Sequence, residues 1–247
     1  MEYRSPQTAA PSPVRCPFLQ VRPLVLASSS PRRQDFLRDQ GLDFRILPAR
    51  TEEVRPVPEE DPHGYVLRTA RSKAENVRSS LMAELASFPS RSGSPAPLVL
   101  AADTIVVLDG GILGKPADRS EAVAMLEHLA GRVHTVITAC CLWPAEDPAP
   151  CAEFADSTDV RFAPWPRELL EAYAATGEPL DKAGAYGIQG KGAFLVERIE
   201  GSWSTVVGLP VSRVMRALLD CGALLSPACP APAHAGTTAL PQQGEPL

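Results

Sequence analysis

Several familiar signatures are missing from this chain, and each absence narrows what it can be. The six cysteines (Cys16, Cys140, Cys141, Cys151, Cys221 and Cys229) contain no C-x-x-C pair, and neither they nor the four histidines have metal-site spacing. Free thiols in a reducing compartment are therefore expected. There is no excess of positive charge. A net charge of -5 and a pI near 5.5 leave no broad basic face, which argues against a nucleic acid polymer as partner. Any phosphate site has to be local. Residues 1–23 hold no continuous apolar run, so neither a secretory signal nor a membrane anchor is expected, and the chain reads as cytoplasmic. That arm is poor in acids, as transit peptides are, but Glu2 and its prolines oppose an amphipathic helix. No internal repeat is evident.

What is present is enough apolar material for a globular protein: 45% of the 247 residues are hydrophobic. One stretch organises the rest. Residues 98–116 read LVLAADTIVVLDGGILGKP, a Val/Leu/Ile-rich run with Asp103 inside it and a turn signal at Asp109-Gly110-Gly111. This predicts a β-hairpin whose first strand is mostly buried, with Asp103 in mid-strand. An ionised carboxylate withdrawn from water needs a cation or metal beside it, and Lys115, returning on the second strand, is a candidate. The alternative is an Asp satisfied by backbone amides.

Upstream, residues 24–27 form a short apolar strand that ends in Ser28-Ser29-Ser30-Pro31-Arg32-Arg33, and Phe36 and Leu37 then open a helix that stops at Gly41. Ser30 suits an N-cap and Pro31 a first helical position. Two arginines in a first helical turn oppose the helix dipole, so Arg32 and Arg33 make most sense around a bound anion, phosphate above all. Two solvated surface arginines are the plainer reading. A second strand is expected over 42–47 and an acid-bearing loop over 48–60, which includes Glu53. Asp61 and Pro62 then start a long helix with a stripe of Val66, Ala70, Ala74, Val77, Leu81 and Leu85. Lys73 flanks that stripe, placed to reach a cleft or to snorkel into solvent.

Residues 87–97 read as a flexible surface insertion. After the hairpin, Asp118 and Glu121 make a capping-box-like helix start, 133–143 a strand holding the lone His134, and 158–163 another strand. A helix over 166–176 should close at Gly177. The glycine-dense loop 177–192 (GEPLDKAGAYGIQGKG) suits close backbone approach to a ligand, with Asp181, Lys182 and Gln189 as its polar groups. A hairpin is expected from 193–199 and 204–207, and a last helix over 211–222. The predicted organisation is a disordered arm at 1–22, one folded domain at 23–222, and a disordered Pro/Ala-rich tail at 223–247.

Three of these motifs, at 27–33 (ASSSPRR), 101–116 and 177–192, resemble in order and spacing the Maf-type nucleotide pyrophosphatases. The chain is also similar to the Maf-like half of a eukaryotic fusion with an acetylserotonin methyltransferase-like protein, with no methyltransferase portion here. The resemblance implies an elongated α/β fold of the Maf and inosine triphosphatase type: two lobes, a mixed sheet and a deep central cleft. It implies hydrolysis of nucleoside triphosphates between the α- and β-phosphates, with a divalent metal, Mg²⁺ or Mn²⁺. Asp103 resembles the family's general base, and Glu53, with Asp103, its metal-associated acids. Ser28, Ser30, Arg32, Arg33, Lys73, Thr104, Lys115, Lys182 and Gln189 would bind substrate. The pattern of Arg32, Thr104 and Gln189 resembles the subgroup acting on dTTP and UTP, and modified pyrimidines such as 5-methyl-UTP would fit the same pocket. Homodimers are common in such folds. The competing expectation is a nucleotide-binding regulatory module that has lost turnover, against which stand Asp103, Lys73 and Lys115.

Overall fold

The computed structural model describes residues 17–50, 56–57, 60–87 and 95–226, without the side chains of 85–87. Expectations for Glu53, the Leu85 side chain, most of the 87–97 insertion, and the tail from 227 onward fall outside these residues. In chain order the elements are β1 (Leu19–Gln20), β2 (Leu24–Leu26), α1 (Pro31–Asp39), β3 (Phe44–Ile46), α2 (Pro62–Ser87), β4 (Leu98–Leu108) and β5 (Gly111–Leu113). There follow α3 (Arg119–Leu129), β6 (Val133–Pro144), β7 (Ala152–Phe162), α4 (Arg167–Ala174), three 3₁₀ turns between Glu178 and Leu195, β8 (Val196–Glu200), α5 (Trp203–Val207), α6 (Val211–Asp220) and β9 (Leu224–Leu225). No helix among the described residues is long and apolar enough to cross a membrane.

The main sheet is mixed and has the order β3-β2-β4-β6-β7-β8, with β5 paired to β4. β2 runs parallel to both β3 and β4, while β4, β6, β7 and β8 are antiparallel neighbours. The hairpin forms as the sequence predicts, because Asp109 (φ 52) and Gly110 (φ 79) adopt the left-handed backbone that a tight turn requires.

α2 packs Val66, Ala70, Ala74, Val77 and Leu81 on one face of the sheet, against Val99, Ala101, Ile105, Ile137 and Ala139. On the opposite face α1 and α6 contribute Leu37, Val214, Met215 and Leu218 over Leu98, Leu100, Ala102 and Leu142. A third cluster lies under the far end of the sheet, where Leu126, Leu129, Phe162, Leu170, Tyr186 and Leu195 gather. Asp118 accepts from the Glu121 amide at 2.9 Å, while the Glu121 carboxylate reaches back to the Ala117 amide at 2.6 Å. The capping box thus closes one residue earlier than its usual form.

Four expectations need correction. The segment 204–207 is not a strand: α5 is a helical turn there, closed by Gly208 at φ 118, and β8 pairs with β7 instead. The Val/Thr composition favoured a strand, but Thr205 is held from both sides by side-chain hydrogen bonds described below. Cys151 and Cys221 are bonded to each other, so these two are not free thiols; Cys140 and Cys141 are free and buried. Order extends past the expected domain limits at both ends, since Leu19–Gln20 pairs with Leu224–Leu225. Finally, Ser30 occupies the N-cap position of α1 without a capping hydrogen bond from its side chain.

Candidate active site

The site lies where β4 changes partners. Its edge pairs with β2 only as far as Leu100 and with β5 only from Val106 onward. Between those points the edge carries no neighbouring strand, and an unpaired edge offers backbone donors and acceptors to whatever lies beside it. The cleft over this gap has a volume of about 990 Å³ and is bordered by the start of α1, by α2, by the hairpin and by the 177–192 loop. The nine residues expected to bind substrate and Asp103 all line it: Ser28, Ser30, Arg32, Arg33, Lys73, Asp103, Thr104, Lys115, Lys182 and Gln189. Glu53 lies outside the described residues.

Alternation along β4 sends Asp103 and Thr104 to opposite faces. On the α2 face Lys73 forms an ion pair with Asp103 Oδ1, both side chains being largely withdrawn from water. Lys73 is thus the cation the carboxylate needs. Lys115, expected on the second hairpin strand, sits two residues beyond the end of β5, on the cleft wall.

On the other face lies Arg33. It donates from Nε to the Gly208 carbonyl at 2.8 Å, from Nη1 to Ala102 O at 2.8 Å and Ser28 Oγ at 3.1 Å, and from Nη2 to Thr104 Oγ1 at 3.1 Å. Burial lowers its pKa, and Asp103 opposes that shift. The close approach depends on Gly208: its left-handed φ of 118 is one that side chains rarely adopt, and a Cβ there would meet Thr104 Oγ1 at 3.3 Å. Arg32 differs, since no hydrogen bond or ion pair holds it among the described residues. Beneath Thr104, Thr138 Oγ1 is 2.9 Å away and donates to the Thr205 carbonyl at 2.8 Å, while Thr205 Oγ1 donates to Asp156. Thr138 and Thr205 are fully buried.

The 177–192 loop is organised from inside by Glu178, which the sequence did not single out. Its carboxylate accepts from Tyr173 Oη at 3.0 Å and from the amides of Lys191 and Gly192 at 3.1 and 3.2 Å. Lys182 donates to the Glu178 carbonyl at 2.7 Å and to Asp181 Oδ1 at 2.6 Å, so its ammonium serves the loop as well as the cleft. Burial would raise the Asp181 pKa, but Lys182, with Arg32 adding its field, brings it below the usual value. The loop is fastened to the hairpin by the Gly184 amide, which donates to Gly114 O at 3.0 Å; a Cβ on Gly184 would strike Val106 at 2.9 Å. Below the cleft, His134 is structural as expected: it is buried, 2.7 Å from Tyr186 Oη, and burial pushes its imidazole down to about 4.

Among the described residues no group of three or more His, Cys, Asp or Glu side chains could hold a metal alone. Asp103 does fit a shared site. Its Oδ2 has no partner among the described residues, and hard divalent ions of the Mg²⁺ type are commonly held by one or two carboxylates together with substrate phosphates.

Comparison with known proteins gives a consistent result. The family described as "Maf-like protein" matches residues 23–221. The chain is 45% identical over 208 residues to a dTTP/UTP pyrophosphatase of Nitratidesulfovibrio vulgaris, covering 84% of this chain and 92% of that one. It is 46% identical over 210 residues to a dTTP/UTP pyrophosphatase of Burkholderia thailandensis, covering 83% and 92%. Among solved structures, a nucleoside-triphosphatase (dITP/XTP pyrophosphatase) of Mycobacterium abscessus covers 81% of this chain and 95% of its own at 12% identity, with a TM-score of 0.35. That likeness is too loose to bear on the site.

Proposed function

We propose, from the premise that this chain belongs to the Maf-like protein family, that it hydrolyses nucleoside triphosphates to a monophosphate and pyrophosphate, with dTTP and UTP as preferred substrates. The observation that carries this reading is the gathering of Arg32, Arg33, Lys73, Lys115 and Lys182 around Asp103 in one cleft of a protein with net negative charge. A polyphosphate needs such a local concentration of cations.

In this mechanism Asp103 is the general base. Its carboxylate takes a proton from a water that attacks the α-phosphorus, and pyrophosphate leaves. The phosphate oxygens of a bound substrate would compete with Oδ1 for Lys73, so that ammonium serves the carboxylate and the substrate in turn. A divalent ion, Mg²⁺ or Mn²⁺, would neutralise phosphate charge and polarise the bond under attack, held by Asp103, with Glu53 as the second acid the family resemblance suggests. Lys115 and Lys182 would steady the departing pyrophosphate, and Gln189 would read the base. Modified pyrimidines such as 5-methyl-UTP fall within the same reading, because a pocket that admits thymine and uracil cannot strongly reject a small 5-substituent.

The partners are thus a nucleoside triphosphate and a divalent cation, a homodimer is the expected assembly, and the cytoplasm, where nucleotide pools lie, is the expected location. A panel of canonical and modified triphosphates, assayed with Mg²⁺ or Mn²⁺ for pyrophosphate, tests the function. Pyrophosphate release led by dTTP and UTP is expected; orthophosphate release, or no turnover of any triphosphate, would overturn it.

A further inference from the structure

Two hydroxyls share the Arg33 guanidinium, and counting their protons and lone pairs gives them opposite characters. A threonine or serine hydroxyl has one proton and two acceptor positions. Ser28 Oγ accepts from the Ser30 amide at 3.2 Å and from Arg33 Nη1 at 3.1 Å. Both acceptor positions are filled and its proton is left over. Ser28 therefore offers a donor, which suits a phosphate oxygen.

Thr104 is the reverse. Thr138 has a single proton, and the Thr205 carbonyl, which can only accept, receives it at 2.8 Å. In the 2.9 Å contact between Thr138 Oγ1 and Thr104 Oγ1, Thr104 must then be the donor. Thr104 Oγ1 also accepts from Arg33 Nη2. Its proton is committed to the protein interior and one acceptor position remains. A group that can only accept is repelled by phosphate oxygens, and the attacking water belongs to Asp103 on the other face of β4.

We propose that Thr138 is a positioning residue for base selection: by holding the Thr104 proton inward, it makes Thr104 an acceptor in the cleft, matched to the imide N3–H of uracil and thymine and mismatched to the acceptor N3 of cytosine. The sense of the chain is fixed from below. Thr205 Oγ1 donates to Asp156, which also pairs with Arg213 at 3.2 Å, and this holds α5 and so the Thr205 carbonyl in place. Thr138 itself is fully buried and does not line the cleft.

This inference rests on the pyrophosphatase reading, and the two fail differently: absence of pyrophosphate release by the wild-type protein sinks the reading, whereas a change in base preference addresses only Thr138. In Thr138→Val the Thr104 hydroxyl is free to turn its proton into the cleft. The kcat/KM ratio of UTP to CTP should then fall about tenfold, mainly through faster CTP hydrolysis, the size of one well-made hydrogen bond. Thr138→Ser keeps the hydroxyl and should restore the ratio. A merely structural role would lower both substrates together and leave the ratio alone, which would overturn the proposal. A readout independent of variant folding uses the wild-type protein with N3-methyluridine triphosphate, which lacks the donor. Loss of turnover is expected; hydrolysis as fast as that of UTP would overturn the inference.

Discussion

Asp103 and Thr104 are neighbours in the chain, yet the two faces of β4 that they occupy are built on different terms. Around Thr104, four of the five Arg33 N–H groups, both acceptor positions of Ser28 and the hydroxyls of Thr138 and Thr205 are all engaged by protein. Around Asp103 one carboxylate oxygen meets Lys73, and Gln189 and Arg32 on the opposite walls have no hydrogen bond among the described residues. A saturated network fixes geometry because each member would leave a partner unsatisfied by moving. A sparsely engaged group exchanges its partners for a ligand at little cost. The first face is therefore a fixed frame, which on the reading above presents Ser28 and Thr104 to substrate in one orientation, and the second holds the groups that can exchange partners.

The sharpest way to break that contrast is to alter each face in turn. Asp103→Asn preserves shape and a hydrogen bond to Lys73 but removes the base. Pyrophosphate release should fall by about 10²–10⁴-fold, the usual range for losing a general base. Nucleotide binding, followed by calorimetry, should persist. Turnover close to wild type would reject the assignment. Arg33→Met should behave in the opposite way, abandoning the Gly208 and Ala102 carbonyls and the Ser28 and Thr104 hydroxyls at once. A stability loss of roughly 3–5 kcal/mol is expected, of the size seen when a buried charged group is removed from its partners. Denaturant unfolding checks it, and an unchanged midpoint would mean that the network is not scaffold.

Much of this arrangement was legible in the chain. The Val66 to Leu81 stripe at helical spacing, the hairpin turn and the mid-strand Asp103 follow from local periodicity and turn chemistry, which a sequence displays directly. What could not be read depends on distant residues. Arg32 and Arg33 look alike in sequence, and it is contacts as distant as the Gly208 carbonyl, 175 positions away, that make one of them an internal strut. Thr138 and Thr205 look like ordinary strand residues until the hydroxyl of the first meets the backbone carbonyl of the second. The Cys151–Cys221 bond, spanning 70 residues, belongs to no spacing pattern.

That bond also sharpens the contrast, because it ties the end of α6, on the scaffold face, to the beginning of β7. Closing a loop of that length lowers unfolded-chain entropy, so reduction should cost up to about 4 kcal/mol of stability. Thermal unfolding with and without reductant reads this, and pyrophosphate release below the transition should change little. An equal melting temperature in both states would mean that the bond does not brace the scaffold.

The third cluster adds a dependence on pH. Burial holds the His134 pKa at about 4, below its unfolded value near 6.5, so the unfolded chain binds the extra proton first. The contribution is complete above about pH 6.5 and declines as pH falls toward 4, with a total of roughly 3 kcal/mol. His134→Gln should flatten the stability profile across that window; an unaltered slope would assign the acid sensitivity elsewhere.

The smallest effect is expected at Gln189, on the handling side of the cleft. Its carboxamide has no partner to abandon among the described residues, so Gln189→Ala should leave the melting temperature within about 1 °C, as surface substitutions without structural partners usually do. What it should lose is discrimination. A polar group that reads a base contributes through the mismatch it imposes on the wrong one, so the preference for UTP over other triphosphates should narrow by about tenfold while kcat for UTP changes less. Equal losses across all bases would instead place Gln189 among the groups that hold the phosphates or the sugar, and base reading would then fall to Thr104 on the rigid face alone.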